Sequence, residues 1–242
     1  MPFKTVVFDC DSTLSAIEGI DELAGSSPGV REEIVRLTEA AMRGEVPLEQ
    51  VYGRRLALVK PTRARVETLG ARYVAELLPH AREVIDALRA EGVAVRVISG
   101  GVLPAVLAVA RELGLRDHDV AAVELRFGPG GEYAGYDERS PLARAGGKLT
   151  VLQQWRTDLP RPVMLVGDGA TDLEARPAVD CFVAFTGIIE RPNVVSSADA
   201  VVRARTLAPI LPLVLGDHAP ASPAHRRTYD IGLSFLDESR PD

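Results

Sequence analysis

The sequence has few cysteines and no long hydrophobic run. Its two cysteines, Cys10 and Cys181, are too few and too far apart for a disulfide framework, and a zinc site needs more ligands at closer spacing. No apolar segment approaches the length that crosses a bilayer. The sequence therefore argues against a disulfide-stapled secreted domain and against an integral membrane protein. We interpret both cysteines as reduced core residues.

Basic residues are outnumbered by acidic ones, and they do not cluster. The chain has 28 Lys and Arg against 34 Asp and Glu, a net charge of -6. The basic residues form no stripe with interleaved aromatic residues. Because such a chain would repel a polyanion, we expect no nucleic acid partner.

The first residues leave little room for a targeting segment. Met1 is followed within three residues by the strand-like segment KTVVFD, so a charged region, an apolar region and a cleavage site do not fit. We therefore expect a cytoplasmic protein with no membrane partner. The sequence leaves open whether it is a monomer or a homodimer.

Short apolar runs rich in β-branched residues alternate with helical patterns. The runs that we interpret as buried parallel strands are KTVVFD (4–9), AVRVIS (94–99), PVMLVGD (162–168) and CFVAF (181–185). Helical patterns lie between them at 81–92, 103–114 and 148–156. The alternation predicts an α/β fold with a doubly wound, mostly parallel, Rossmann-like sheet. Two strand-like runs around a Gly and Pro turn at 122–137 predict a β-hairpin that decorates this core.

One long segment breaks the alternation of strands and helices. Residues 15–75 contain consecutive amphipathic helical patterns with no strand between them. They predict a helical cap domain inserted after the first strand of a core domain made of residues 1–14 and 76–215. Residues 216–242 begin with a Pro- and Ser-rich stretch without a sustained period, so we expect a mobile tail there.

Two aspartates follow the first predicted strand in the segment FDCDST. Asp9 and Asp11 stand at the carboxyl end of that strand, where open α/β sheets bind their ligands. An aspartate nucleophile splits phosphoryl transfer into two displacements, and a second carboxyl can protonate the leaving alkoxide and later deprotonate water. Taken alone, the same pair could cap a helix or form a turn.

Polar residues also follow other predicted strands and turns. Ser99 ends a strand before two glycines that we expect to open a helix, which would present a hydroxyl and backbone N–H groups to an anion. Lys148 follows Gly146 and Gly147, so its ammonium can approach a negative centre, although a surface position is the alternative for this lysine. These features favour a phosphate site only in combination.

The segment VGDGATDLEA predicts a site for a hard cation. Asp168 closes a strand and Asp172 lies four residues further on. Mg²⁺ prefers oxygen ligands, which Asp9, Asp168 and a nearby backbone carbonyl would supply, with Asp172 as a ligand or as an acceptor behind the ligands. A helix cap and a solvated carboxylate are the alternative for this loop.

The motifs together identify a family. DCDST, SGG, GGK and GDGATD stand in the order of the four motifs of the haloacid dehalogenase superfamily. From about residue 3 to 213 the chain further resembles the phosphoserine phosphatase family within it. The resemblance implies Mg²⁺-dependent hydrolysis of a small-molecule substrate, L-phosphoserine, through a phosphoaspartyl intermediate, as the last step of serine biosynthesis.

The resemblance also implies roles for single residues. Asp9 would be the nucleophile and Asp11 the acid and base. The other implied catalytic residues are Lys148 and Asp172, and the implied metal ligands are Asp9, the Asp11 carbonyl and Asp168. Ser99, Gly100 and Lys148 would bind phosphate, and Thr171 would lie near the substrate.

The predicted cap carries the residues from which the substrate is inferred. By the resemblance, Glu18 faces the substrate ammonium, Arg55 pairs with its carboxylate and Met42 packs against its body. A solvated helix face is the alternative for Glu18 and Arg55. Arg191 matches a position near the site and is equally suited to stabilising a loop.

Two other functions remain open from the sequence. The chain could be a related phosphatase or phosphotransferase that acts on another small phosphomonoester, because the core fixes the phosphoryl step whereas the cap selects the leaving group. It could also be a catalytically silent protein that binds metal or phosphate, although every catalytic position holds a competent residue.

Overall fold

A parallel sheet of six strands forms the centre of the protein. The structure is a computed structural model that describes residues 2–25 and 28–237. Its strands are β1 (Thr5–Phe8), β2 (Ala94–Val102), β3 (Val120–Val123), β4 (Leu125–Phe127), β5 (Tyr133–Tyr136), β6 (Val163–Gly167), β7 (Cys181–Phe185) and β8 (Ala200–Val202). The order in the main sheet is β3-β2-β1-β6-β7-β8, and β4 and β5 form a separate antiparallel hairpin. The predicted α/β fold and the predicted hairpin are confirmed.

The order of the strands determines where ligands can enter. The chain runs outward from β1 to β2 and β3, and then returns to place β6 on the other side of β1. Phe8, the last residue of β1, pairs with Val97 of β2 and Val166 of β6. The crevice at this reversal lies between the carboxyl ends of β1 and β6, which is the usual binding position in such sheets.

Helices cover both faces of the sheet and fill the long insertion after β1. They are α1 (Gly19–Leu23), α2 (Pro28–Met42), α3 (Leu48–Val59), α4 (Arg63–Ala75), α5 (Ala81–Ala90), α6 (Leu103–Glu112), α7 (Gly147–Gln154), α8 (Ala170–Leu173), α9 (Pro192–Val195), α10 (Ile210–Leu215) and α11 (Pro223–Asp237). Because both faces of the sheet are covered, β1 and β6 are buried along their whole length. No described helix has both the length and the apolar character needed to cross a bilayer.

The insertion between β1 and α5 consists of four helices joined to the core by two adjacent linkers. Ser15 and Leu77 form an antiparallel bridge. The Leu78 amide donates to the Leu14 carbonyl at 3.0 Å, so the two linkers are hydrogen-bonded to each other. Helix α4 packs on core helix α6 so closely that a Cβ on Gly70 would lie 2.9 Å from the Ala108 Cβ. The limits 15–75 for a separate cap domain stay a prediction.

The tail contains a helix that the sequence analysis did not predict. Residues 223–237 form α11, which packs on α10 and α5. The Tyr229 hydroxyl donates to the Gly216 carbonyl at 2.5 Å, and Gly232 lies close to the Ala208 carbonyl. The mobility that we expected for residues 216–242 stays a prediction, and residues 238–242 lie outside the described residues. The buried stripe of α11 includes threonine and glycine, so it carries no clear hydrophobic period.

The strand that precedes α6 is longer than predicted. We expected Ser99 to end it, but β2 continues through the two glycines to Val102, and α6 begins at Leu103. The pairing of β2 with β3 shifts between Ile98 and Val102. A bulge of this kind is favoured by glycine, and it re-aims the neighbouring backbone at the site.

Candidate active site

Asp9 leaves the end of β1 in the crevice between β1 and β6. Its amide donates to the Val166 carbonyl at 2.9 Å, which continues the pairing of the two strands. Its Oδ1 accepts from the Cys10 amide at 2.7 Å and lies 2.9 Å from the Lys148 ammonium. The carboxylate is buried and fixed, yet it lines a pocket.

Lys148 lies in the first turn of α7 and joins two carboxylates. Its Nζ is 2.9 Å from Asp9 Oδ1 and 2.7 Å from Asp172 Oδ1, and the side chain is 4% exposed. Burial by itself would lower the pKa of Lys148, but the carboxylates of Asp172 and Asp9 raise it above its ordinary value. The lysine is therefore a buried cation at the centre of the acidic cluster.

The second acidic strand end is Asp168, which follows β6. Arg191 is almost fully buried and pairs with Asp168 Oδ2, and the same guanidinium reaches the Asp168 carbonyl at 3.3 Å. Burial raises the pKa of Asp168 to about 6 although Arg191 lowers it. The Thr13 hydroxyl donates to its other carboxylate oxygen at 3.3 Å.

Asp172 is held by a tight turn between β6 and α8. Its Oδ2 accepts from the Gly169 amide at 3.1 Å while Oδ1 accepts from Lys148. A Cβ on Gly167 would lie 2.2 Å from the Asp172 Cγ, so only glycine lets this carboxylate lie against the end of β6. Asp172 is fully buried and lies behind the pocket surface.

Three of these carboxylates fit a divalent cation. One oxygen from each of Asp9, Asp168 and Asp172 lies within 4.8 Å of the others, and all three residues are buried. Burial raises the pKa of Asp9 well above its ordinary value; Lys148 opposes the shift, and Asp172 and Asp168 add to it. A cation held by oxygen ligands would offset this burial and repulsion, and hard divalent cations prefer such ligands.

Asp11 is turned away from that cluster. Its Oδ1 accepts from the Gly19 amide at 2.6 Å and from the Tyr73 hydroxyl at 2.5 Å, and its Oδ2 accepts from the Ser99 hydroxyl at 3.1 Å. Tyr73 is fully buried, and burial followed by the charge of Asp11 raises its pKa well above the ordinary value. The phenol therefore remains a donor, and Asp11 is positioned by three separate elements.

The SGG segment of β2 forms the floor of the pocket. Ser99 is fully buried, and its Oγ accepts from the Gly101 amide at 2.8 Å. Gly100 lines the pocket, and its carbonyl accepts from the Tyr52 hydroxyl of α3 at 2.9 Å. Tyr52 thereby connects the insertion to the segment that we predicted to bind phosphate.

The insertion supplies the opposite wall of the pocket. It brings a carboxylate, Glu18, and a guanidinium, Arg55, to the same cavity as Asp9, together with the side chains of Ile20, Met42, Leu48 and Tyr52. The Ser12 hydroxyl donates to Glu18 at 2.8 Å. Burial and the charge of Asp11 raise the pKa of Glu18 well above its ordinary value. The cavity thus has an end with clustered carboxyl groups and a wall that carries one carboxyl group and one guanidinium.

The match to a family of known proteins covers most of the chain. The family model of the haloacid dehalogenase-like hydrolases matches residues 3–180. The chain belongs to this family. It is similar to the phosphoserine phosphatase of cattle (Bos taurus), with 40% identity over 195 residues that cover 80% of this chain and 86% of the relative.

Two solved structures are similar to this hydrolase throughout the fold. A phosphoaspartyl intermediate analogue of phosphoserine phosphatase has a TM-score of 0.75 and 30% identity, and the match covers 88% of this chain and 100% of the other. A substrate-bound phosphoserine phosphatase complex also has a TM-score of 0.75 and 30% identity, and the match covers 87% of this chain and 98% of the other.

The structure brings the predicted site residues of this hydrolase together. Those that line the pocket are Asp9, Asp11, Glu18, Met42, Arg55, Gly100, Lys148, Asp168 and Thr171. The two others, Ser99 and Asp172, are fully buried directly behind it. Their individual roles stay predictions. Arg191, for which the sequence left open a role in stabilising a loop, contacts Asp168 and also approaches Glu39 of α2 at 3.4 Å.

Several residues at the site were missed by the sequence analysis. They are Ile20, Leu48, Tyr52, Tyr73, Leu142 and Arg144. Most belong to helices of the insertion, where an apolar or aromatic residue at helical spacing is as typical of a packed core as of a pocket. Tyr73 carried no local signal, because its contact with Asp11 spans 62 positions in the chain.

Proposed function

We propose that this hydrolase cleaves L-phosphoserine to L-serine and phosphate, with Mg²⁺ bound by its acidic cluster and a phosphoaspartyl intermediate on Asp9. One observation carries the proposal. The pocket that holds Asp9 and Lys148 at one end has Glu18 and Arg55 on its wall. A phosphate with one ammonium and one carboxylate matches that distribution of charge.

Asp9 and Asp11 divide the chemistry of the first displacement. Asp9 attacks phosphorus, and the bond between phosphorus and the serine oxygen breaks. Asp11 gives its proton to the departing oxygen, which leaves as the serine hydroxyl. Lys148, next to Asp9, balances negative charge on the transferring phosphoryl group.

The second displacement regenerates the free enzyme. Asp11, now a carboxylate, accepts a proton from a water that attacks the phosphoaspartyl group, and Asp9 is released as a carboxylate. The hydrogen bonds from Gly19, Tyr73 and Ser99 hold Asp11 in place for both proton transfers.

The residues that would hold Mg²⁺ are Asp9 and Asp168, with the Asp11 carbonyl and with Asp172 as ligand or as acceptor behind them. When bound, the metal would neutralise charge between the carboxylate nucleophile and the phosphate. Asp172 also fixes Lys148, so its position serves two charged groups.

The core fixes the phosphoryl step, and the insertion selects the leaving group. Glu18 would accept hydrogen bonds from the substrate ammonium, Arg55 would pair with the carboxylate, and Met42 would pack against the carbon chain. Ser99, Gly100 and Thr171 would contact the phosphate end. The reaction would form the last step of serine biosynthesis, in the cytoplasm.

Residues 15–75 would act as a cap that closes over the substrate. The paired linkers at 14–16 and 76–78 support this division, since a hinge there would move the insertion as a unit. Hydrogen exchange at these linkers should slow when Mg²⁺ and phosphate bind. A rate of hydrogen exchange that is the same with and without the two ligands would count against closure.

The test of the substrate is phosphate release from a panel of four compounds with Mg²⁺ and with EDTA. The panel consists of L-phosphoserine, phosphoethanolamine, phosphothreonine and 3-phosphoglycerate. We expect a strong preference for phosphoserine and loss of activity with EDTA. Preference for another compound would keep the mechanism and overturn the substrate, and adding alcohol acceptors would detect phosphotransfer. No release from any compound would favour a silent binding protein.

A further inference from the structure

A chain of three buried polar side chains runs through the insertion behind the pocket wall. Arg55 Nη1 of α3 donates to the Thr38 hydroxyl of α2 at 2.9 Å. Thr38 in turn donates to Asp21 Oδ1 of α1 at 2.5 Å. Their exposed fractions are 4% for Arg55, 1% for Thr38 and 8% for Asp21. Each of the first three helices of the insertion therefore contributes one member.

The direction of these hydrogen bonds is fixed by the donors available. A guanidinium only donates and a carboxylate only accepts, so the single Thr38 proton goes to Asp21 and an oxygen lone pair faces Arg55. Burial raises the pKa of Asp21, whereas the hydrogen bond from Thr38 and the charge of Arg55 lower it. One hydroxyl thus lies between the carboxyl group of Asp21 and the guanidinium of Arg55.

The guanidinium of Arg55 has other donors besides the one that Thr38 accepts. Its carbon lies 5.5 Å from the centre of the Tyr52 ring, which supports one side of the group. Its Nε is buried and has no hydrogen-bond partner within the described part of the chain. Arg55 also lines the pocket. Nη1 is therefore held by Thr38, while the buried Nε has no partner in the described residues and the side chain borders the pocket.

We propose that Thr38 and Asp21 are positioning residues that orient Arg55 toward the carboxylate of the substrate. Paired hydrogen bonds from a guanidinium to a carboxylate need a defined plane, and the Thr38 hydroxyl sets that plane. Selectivity for an amino acid phosphate over a phosphate without a carboxylate then depends on a threonine that does not touch the substrate. The inference rests on the proposed function.

A purely structural role makes a different prediction. If the three hydrogen-bonded side chains only hold three helices together, removing one of their hydrogen bonds would disturb the pocket for every substrate equally. If they orient Arg55, the loss falls on substrates that carry a carboxylate. Phosphoethanolamine has the ammonium and the phosphate of phosphoserine but no carboxylate, so it separates the two roles.

The experiment measures kcat and KM of Thr38→Val for L-phosphoserine and for phosphoethanolamine, the latter as substrate or as competitive inhibitor. We expect KM for phosphoserine to rise about tenfold, the loss typical of one hydrogen bond to a charged group, with kcat changed by less than about twofold. Values for phosphoethanolamine should not change. Thr38→Ser, which restores the hydroxyl, should restore KM.

The control is Thr68→Val. Thr68 is an exposed threonine of α4 whose hydroxyl donates to the Ala64 carbonyl of its own helix, so both substrates should behave as with the wild type. Should Thr38→Val not fold, Asp21→Leu, which is close in size and removes the acceptor of the Thr38 hydrogen bond, is predicted to give the same split between the two compounds.

Two outcomes would overturn the inference in distinguishable ways. Equal losses on both compounds in Thr38→Val, or no rescue by Thr38→Ser, would contradict the positioning role while the proposed function stands. A wild-type protein that does not hydrolyse phosphoserine would contradict the proposed function, and the inference with it.

Discussion

The carboxyl groups at the site of this hydrolase are held by different ion-pair and hydrogen-bond partners. Asp9 and Asp172 share the ammonium of Lys148, so a single buried cation binds both side chains. Asp11 lies only two residues after Asp9, yet its carboxylate is held by donors from other elements. The donor that is easiest to remove without changing shape is the Tyr73 hydroxyl.

We predict that Tyr73→Phe lowers kcat for phosphoserine about tenfold. The variant keeps the ring and removes one of two hydrogen bonds to Asp11 Oδ1, so the carboxyl is less well aligned for proton transfer. Steady-state kinetics with saturating Mg²⁺ measure the effect. KM should change little, because Tyr73 does not line the pocket.

Tyr229→Phe is the matched control for this variant. Tyr229 is also a buried tyrosine whose hydroxyl donates at 2.5 Å, but its acceptor is the Gly216 carbonyl near the tail helix. Its loss should cost stability and leave kcat unchanged. A Tyr73→Phe variant whose kcat falls no further than that of Tyr229→Phe would contradict the positioning of Asp11.

Residues at strand ends could be predicted from the strand pattern, whereas on the helices of the insertion only residues matched by the family resemblance, such as Met42 and Arg55, could be predicted. Asp9 and Asp168 follow buried apolar runs, and the carboxyl ends of neighbouring parallel strands meet at one edge of a sheet. Tyr73 and Thr38 lie on helices, and which face of a helix meets the site depends on how the helices pack. Thr38 therefore carried no signal in its own neighbourhood.

The turn between β6 and α8 leaves no room for a side chain at Gly167. It places Asp168 at the end of the strand and folds Asp172 back against Gly167 within four residues of chain. The hydrogen bond from the Gly169 amide to Asp172 closes the turn. The turn thus supplies two of the three clustered carboxylates.

We predict that Gly167→Ala destabilises the protein and weakens metal binding. The added methyl group would overlap Asp172, and overpacking of this kind costs about 1–3 kcal/mol. Thermal melting with and without Mg²⁺ measures both effects, because a ligand that binds only the folded state raises the melting temperature. We expect a lower melting temperature and a smaller increase with Mg²⁺ than in the wild type.

Gly29→Ala is the control for this variant. Gly29 lies in α2, and apart from its own helix no described residue comes within 4 Å of an added Cβ. Alanine also has a higher helix propensity than glycine. It should leave melting and metal binding as they are or raise the melting temperature. An unchanged response to Mg²⁺ in Gly167→Ala would contradict the account of the turn.

Helices and strands with a clear hydrophobic period could be predicted from the sequence, and those without such a period could not. The strand runs at 4–9 and 162–168 and the amphipathic segments of the insertion correspond to observed elements. Strand β8 has three residues and no pattern of its own, so only pairing with β7 defines it. The end of β2 was placed too early because two glycines usually end a strand, whereas here they form a bulge.

At the scale of the whole molecule, the sheet and the insertion contribute different parts of one site. In the proposed function, the sheet would carry the phosphoryl chemistry at the reversal between β1 and β6, and the insertion would carry the groups that distinguish substrates. The insertion touches the core through several contacts, including Tyr52 with Gly100 and Glu39 with Arg191. In the proposed function, a shift of the insertion would therefore affect both the binding of the substrate and the phosphoryl transfer.

The proposed mechanism requires that Asp9 is the nucleophile of a Mg²⁺-dependent phosphoserine hydrolysis. The most direct test compares phosphate release from L-phosphoserine by the wild type and by Asp9→Asn, with Mg²⁺ present and with equal folding shown by thermal melting. We predict that the wild type releases phosphate and that Asp9→Asn loses at least about 10⁴-fold in kcat, as expected when a nucleophile is removed. Undiminished turnover by Asp9→Asn would contradict the account.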